Sequence, residues 1–168
     1  SSPGLVWVAD ITYVSTSEGW LYLAGIKDLC TGEIVGQATS ARMTQDLVCR
    51  ALFRAVLRKR PVAGLIHPSD RGSQYGLKRY QKLLAQLGMI ASMSRKGNCY
   101  DNAPMENFFS SLKTELIHHR RYRTRMEATS DITEYIEIFY NRQRRQTRLG
   151  FHSPAAYEEK MFKEKKVA

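Results

Sequence analysis

Leu5-Val6-Trp7-Val8-Ala9-Asp10-Ile11-Thr12-Tyr13-Val14 is the stretch on which the layout of the chain turns. It is apolar on both alternating faces, the pattern of a central strand covered on each side. A carboxylate in its middle, Asp10, is costly to bury unless something positive meets it. Beyond it, residues 20–30 read as a second strand, and Thr31-Gly32 supplies the turn of a hairpin into a third over 33–40. Thr44 caps a helix with an apolar face of Leu47, Val48, Ala51, Leu52, Ala55 and Val56, which Pro61 ends. Arg50, Arg54, Arg58, Lys59 and Arg60 fall mostly on its solvated side. Next come a short strand over 63–70, a helix from about Leu77 to Leu87 closed by Gly88, and a strand over 89–93. The order predicts an α/β fold with a mixed five-stranded sheet, three strands antiparallel and two parallel, flanked by helices.

Two more acids stand at informative places. Asp70 ends its strand before the turn-forming Arg71-Gly72-Ser73, and the C-terminal end of a strand is a common place for site residues in α/β sheets. Glu106 lies in Asn98-Cys99-Tyr100-Asp101-Asn102-Ala103-Pro104-Met105-Glu106-Asn107-Phe108-Phe109, which reads as a loop running into a helix. Asn102 is a good N-cap, and Pro104 is tolerated because first-turn N–H groups lack intrahelical partners. Met105, Phe108, Phe109, Leu112 and Leu116 have the spacing of one packed face. Glu106 is expected beside that stripe, at the edge of the core. Lys113, two turns on, shares its side, and an acid with a cation placed so suggests a site handling metal and phosphate.

Trp-Val-Ala-Asp-Ile-Thr-Tyr (7–13), His-Pro-Ser-Asp-Arg-Gly-Ser-Gln-Tyr (67–75) and Gly-Asn-Cys-Tyr-Asp-Asn-Ala-Pro-Met-Glu-Asn-Phe-Phe-Ser-Ser-Leu-Lys-Thr-Glu (97–115) together resemble the catalytic core of bacterial insertion-sequence transposases of the OrfB type. These belong to the DDE superfamily, which shares a ribonuclease-H-like fold with retroviral integrases. Thirty-five residues lie between Asp70 and Glu106, the spacing by which this branch is known. The resemblance runs from about Val6 to Tyr157 and takes in Tyr140-Asn141 and Ser153-Pro154-Ala155. Two details depart from the commonest form: Pro68 stands between His67 and Ser69, and no histidine precedes Leu149-Gly150.

The resemblance implies a metal-dependent polynucleotidyl transferase with Asp10, Asp70 and Glu106 as catalytic residues and metal ligands. Asp10 would bridge two Mg²⁺ (or Mn²⁺) ions, Asp70 would hold one and Glu106 the other. Mg²⁺ is hard and prefers oxygen, so carboxylates suit it. Taken singly the acids have plainer readings. Asp10 could be a hydrogen-bonded structural aspartate, Asp70 could cap its turn, and Glu106 could be a first-turn glutamate favoured by the helix dipole. Expected DNA contacts are Lys113, Arg71, Arg95, Lys96 and Asn102, of which Asn102 also serves the helix start and Lys113 could instead pair with a nearby acid. His67 reads as a structural hydrogen-bonding residue, and His118-His119 as solvated. Two other functions stay open from sequence: a DNA-binding or assembly module with a defunct site, and a ribonuclease-H-like nuclease.

A net charge of +10 over 168 residues favours a polyanionic partner, here DNA. Three scattered cysteines without a Cys-x-x-Cys pair argue against a disulfide framework or zinc knuckle and for a reducing cytoplasm, which the resemblance implies is bacterial. No apolar run reaches membrane-span length. The expectation is one catalytic domain over 1–168, with an ordered core of about 5–157 and a charged tail over 158–168 that frays. An N-terminal DNA-binding region is expected to be missing from the chain, and a homo-oligomer is expected because two DNA ends must meet. Residues 94–102, polar, basic and hinged by Gly97, are expected to be mobile without substrate. A capping box at Thr124-Arg125-Met126-Glu127 opens a last long helix that buries Ile132, Tyr135, Ile136, Phe139 and Tyr140. Ser153-Pro154 caps a short final one.

Overall fold

The computed structural model describes residues 2–69, 78–93 and 102–168. Strand β1 (Trp7–Thr16) pairs antiparallel with β2 (Gly19–Asp28), and β2 pairs antiparallel with β3 (Ile34–Ser40). Strand β4 (Ile66–Ser69) runs parallel to β5 (Ile90–Met93). A parallel bridge between Val6 and Ile66, with the Ile66 N–H donating to the Leu5 carbonyl at 2.8 Å, sets β4 against the start of β1. The five expected strands thus form a three-stranded antiparallel sheet and a two-stranded parallel one, which meet through this bridge in the spatial order β3-β2-β1-β4-β5.

Alternation along β1 divides the core. Trp7 and Ala9 pack with helix α1 (Gln45–Lys59) and helix α2 (Lys78–Gln86) on one face. Val8 and Val14 pack on the other with helix α3 (Ala103–Glu115) and helix α4 (Arg125–Glu134). Both faces of the strand are covered over Trp7–Ala9, but Ile11 is only half-buried and Leu5 and Tyr13 are exposed, so the two-sided cover expected for the whole run holds for its middle alone. Gly36 on β3 makes the close seat of α1 possible: a Cβ there would lie 2.4 Å from the Ala51 carbonyl oxygen. The β2–β3 turn is organised by buried Asp28, whose carboxylate accepts from the backbone N–H groups of Cys30 and Thr31.

Three expectations need correction. The cations of α1 are not simply solvated. Arg50 and Arg54 donate to the carbonyls of Thr39 and Gln37, and Arg58 and Lys59 pair with buried Glu33. Strand β3 is the sheet edge, and the two arginines occupy carbonyls that no further strand pairs.

The last long helix is not uniform: beyond α4 it widens to a π-helical turn over Tyr135–Tyr140, with Asn141 N–H reaching the Ile136 carbonyl. One extra residue per turn rotates the positions after it, so Phe139 is exposed and Asn141 is buried. The final helix, α5 (Pro154–Val167), is not short and runs through the residues expected as a charged tail. Glu158 bridges to Lys59 at 2.7 Å, and the i,i+4 pair Glu159–Lys163 supports the exposed turns. No described helix is long and apolar enough to cross a membrane.

Candidate active site

Asp10 sits mid-strand in β1, directly opposite Gly25 of β2. It shares a face with Val8, so its side chain points toward α3 rather than α1. A Cβ on Gly25 would lie 3.1 Å from the Met105 methyl group, so the glycine lets the first turns of α3 settle against the sheet beside Asp10. The Asp10 carboxylate accepts from the Ile11 N–H at 2.8 Å and from the Asn102 side-chain amide at 2.8 Å.

Asn102 therefore does something its N-cap reading missed. Its side chain makes no cap hydrogen bond. Its backbone carbonyl instead accepts from the Met105 and Glu106 N–H groups while its amide holds Asp10. One residue thus ties the start of the helix carrying Glu106 to the strand carrying Asp10. The signal that could have found it is an amide four residues before the acid, a helical turn away.

Glu106 is exposed, not at the edge of the core. Met105, Phe108, Phe109 and Leu112 fill the stripe facing the sheet, and each helical step rotates about 100°. That turn carries Glu106 away from Met105 into solvent. Among the described residues no ion pair engages it. Lys113 makes no described ion pair either: its ammonium lies 5.5 Å from the centre of the Tyr13 ring. Glu115, on another face of α3, accepts from Tyr135 Oη and Arg144 Nε. His118 and His119 are exposed on a 3₁₀ turn. Asp70, Arg71, Arg95 and Lys96, with the rest of residues 94–101 and the mobility expected of them, lie outside the described residues.

His67, three positions before Asp70, is fully buried. Its Nδ1 lies 2.7 Å from the Trp7 carbonyl oxygen and its Nε2 meets the Tyr80 hydroxyl. A carbonyl only accepts, so Nδ1 carries the proton and Nε2 accepts from Tyr80. Burial lowers the His67 pKa from its ordinary value of 6.5 to about 4, against the opposing pull of the Trp7 carbonyl. The ring is therefore neutral near pH 7 and joins β4 to β1 and α2. It is structural, as its sequence context indicated.

The donor set suits a hard divalent cation: Asp10 presents carboxylate oxygens held by neutral N–H donors, and Glu106 an exposed carboxylate. Among the described residues no three His, Cys, Asp or Glu side chains gather as a metal site, and the third acid of the expected set lies outside them.

Comparison with known proteins gives consistent results. The integrase core domain family matches residues 1–99, and a second integrase core domain family matches residues 106–162. The chain is 61% identical over 160 residues to an uncharacterized 31 kDa protein of insertion element IS600 from Shigella sonnei, covering 95% of this chain and 59% of that protein. It is 46% identical over 158 residues to the transposase of insertion sequence element IS904 from Lactococcus lactis, covering 94% and 62%. It is 44% identical over 160 residues to the transposase InsF of insertion sequence IS3A from Escherichia coli, covering 95% and 56%. The chain thus spans about three fifths of the length of these relatives.

Among solved structures, the HTLV-2 integrase catalytic core domain in complex with magnesium aligns with a TM-score of 0.72 at 12% identity, over 94% of this chain and 97% of that one. The BIV integrase catalytic core domain aligns at 0.71 and 17%, over 96% and 98%. At such identities the likeness shows the fold, which is ribonuclease-H-like.

Proposed function

The chain belongs to the integrase core domain family, and from that premise we propose that it is the catalytic core of an insertion-sequence DDE transposase. Its reaction is cleavage of one DNA strand at the element end, followed by attack of the freed 3′-hydroxyl on a second phosphodiester. The observation that carries this reading is the link through Asn102, which joins the Asp10 carboxylate to the helix turn bearing Glu106.

Asp10, Asp70 and Glu106 are the residues that would hold two Mg²⁺ or Mn²⁺ ions. Bound divalent ions supply charge that activates an attacking oxygen and stabilises a leaving one. The chain's own groups do the remaining work. Asn102 fixes the rotamer of Asp10 by donating to one of its oxygens, and the Ile11 N–H holds the other. Lys113 is assigned contact with a substrate phosphate as a point charge, a reading supported by the lack of a described carboxylate neutralising it. Arg71, Arg95 and Lys96 are assigned the same role in steering the backbone. No serine or tyrosine need act as a nucleophile. Two DNA ends must be brought together, so the working form is a homo-oligomer, acting in the bacterial cytoplasm.

The test is incubation with a duplex carrying an element end, in Mg²⁺ or Mn²⁺, followed by separation of cleaved and joined strands. Cleavage and joining by the wild type, both lost in Asp10→Asn and in Glu106→Gln, is the expected result. Products that persist in both variants would overturn the assignment. Cutting of RNA–DNA hybrids without any joining would favour the ribonuclease reading.

A further inference from the structure

A concentration of charge that the proposed reaction leaves unexplained lines a cleft of about 430 Å³ between α3 and the segment beyond the π-helical turn. Lys27 of β2 forms its floor with only 6% of its surface exposed. Its ammonium donates to the Pro104 carbonyl at 3.0 Å and the Tyr140 hydroxyl at 3.1 Å, both neutral. Among the described residues no carboxylate pairs with it. Arg144, Arg145 and Arg148 line the same cleft, and Glu115 neutralises Arg144 alone. Arg148 donates to the Cys30 carbonyl, which carries no charge. Four cations therefore face one acid.

The other lining groups are also rich in donors. Asn107 and Ser111 come from α3, and the Gln146 amide nitrogen is buried without a hydrogen-bond partner among the described residues. A buried charge and an orphaned donor each cost stability unless an acceptor answers them. Their collection around one opening is what an oxyanion requires. Burial, with help from Arg148 and Arg144, lowers the Lys27 pKa to about 8, which is the strain that an arriving anion would relieve.

We propose that this cleft is a second phosphate site, which seats a backbone phosphate of DNA flanking the strand to be cut. Pro104 and Asn107, on either side of Glu106 in α3, belong to its wall. At about 100° per residue Asn107 and Pro104 face more than a quarter-turn round the helix from Glu106, so a duplex crossing the exposed side of α3 is what spans Glu106 and the cleft. The proposal rests on the DNA substrate argued above and adds to it contacts outside the five cations and amides that the sequence singled out.

Fluorescence anisotropy with a labelled duplex oligonucleotide in EDTA, repeated across a NaCl series, reads the number of phosphates engaged. The slope of log affinity against log salt changes by about 0.9 for each phosphate contact. Arg145→Gln and Arg148→Gln are expected to flatten that slope by about this amount where each meets a phosphate, and the double variant to flatten it further. Lys165→Gln, on the exposed last turn of α5, is the control and keeps the wild-type slope. Unfolding midpoints of all variants are measured alongside, because none of the three side chains is buried. Wild-type slopes in both arginine variants and in their double would overturn the second site while leaving the DNA-cutting reading intact. An equal flattening in Lys165→Gln would overturn it too, since net charge alone would then account for the loss. Absence of salt-dependent DNA binding by the wild type would overturn both.

Discussion

Lowering the pH should destabilise this protein through His67 more than through any exposed histidine. The ring is held neutral between the Trp7 carbonyl and the Tyr80 hydroxyl, and a second proton on Nε2 would force the Tyr80 O–H to turn away and would place a charge in a fully buried site. The folded pKa of about 4 lies below the ordinary 6.5, so the unfolded chain takes up the proton first. Stability from this group is therefore complete above about pH 6.5 and is lost as the pH falls toward about 4. The two values differ by about 2.5, and at about 1.4 kcal/mol for each the loss is about 3 kcal/mol. Native domains hold only about 5–15 kcal/mol in total, so the loss is large. Urea unfolding of the wild type and of His67→Asn, followed from about pH 7 to about pH 4.5, isolates the effect because the carboxylates common to both cancel. The wild type should lead at neutral pH, and its lead should shrink as acid is added. A lead that stays constant with pH, or a His67 ring that titrates near 6.5 in the folded protein, would refute the reasoning.

Other contacts carry three more expected outcomes. Asn141→Ala removes the amide that both accepts from the Ile34 N–H and donates to its carbonyl in a fully buried position. At about 1–3 kcal/mol for each of the two orphaned groups it should cost about 2–6 kcal/mol, read from the urea midpoint. Gly36→Ala forces α1 off the sheet at the Ala51 carbonyl and should cost about 1–3 kcal/mol in the same measurement. Asn102→Ala leaves the core untouched but releases Asp10, so Mn²⁺ affinity by calorimetry should fall about 10–100-fold at an unchanged unfolding midpoint. Unchanged affinity would deny Asn102 its positioning role.

What the sequence disclosed is what local pattern controls. Apolar residues on both alternating faces of 5–14 marked a strand that proves covered on both sides in its middle, and Thr31-Gly32 marked the β2–β3 hairpin, because strand faces and turns are set by neighbours in the chain. The stripe of Met105, Phe108, Phe109 and Leu112 fixed which side of α3 meets the sheet. The rest depended on partners distant in sequence. Asn102 has the composition of an N-cap, and only the approach of β1 diverts its side chain to Asp10. Glu106 was expected at the edge of the core, but the packed stripe leaves it room only in solvent. A helical period of 3.6 places Phe139 inside, and the π-helical turn exchanges it for Asn141. The arginines of α1 look solvated from their own helix, and become ligands for backbone carbonyls only once β3 is the sheet edge.

The central claim is that Asp10, Asp70 and Glu106 together hold divalent metal. Crystals soaked in saturating Mn²⁺ at neutral pH, with the ion located by anomalous scattering, test it most directly. The account predicts a peak between Asp10 and Asp70 with Glu106 within reach of it. The absence of any peak near Asp10 under those conditions would contradict it.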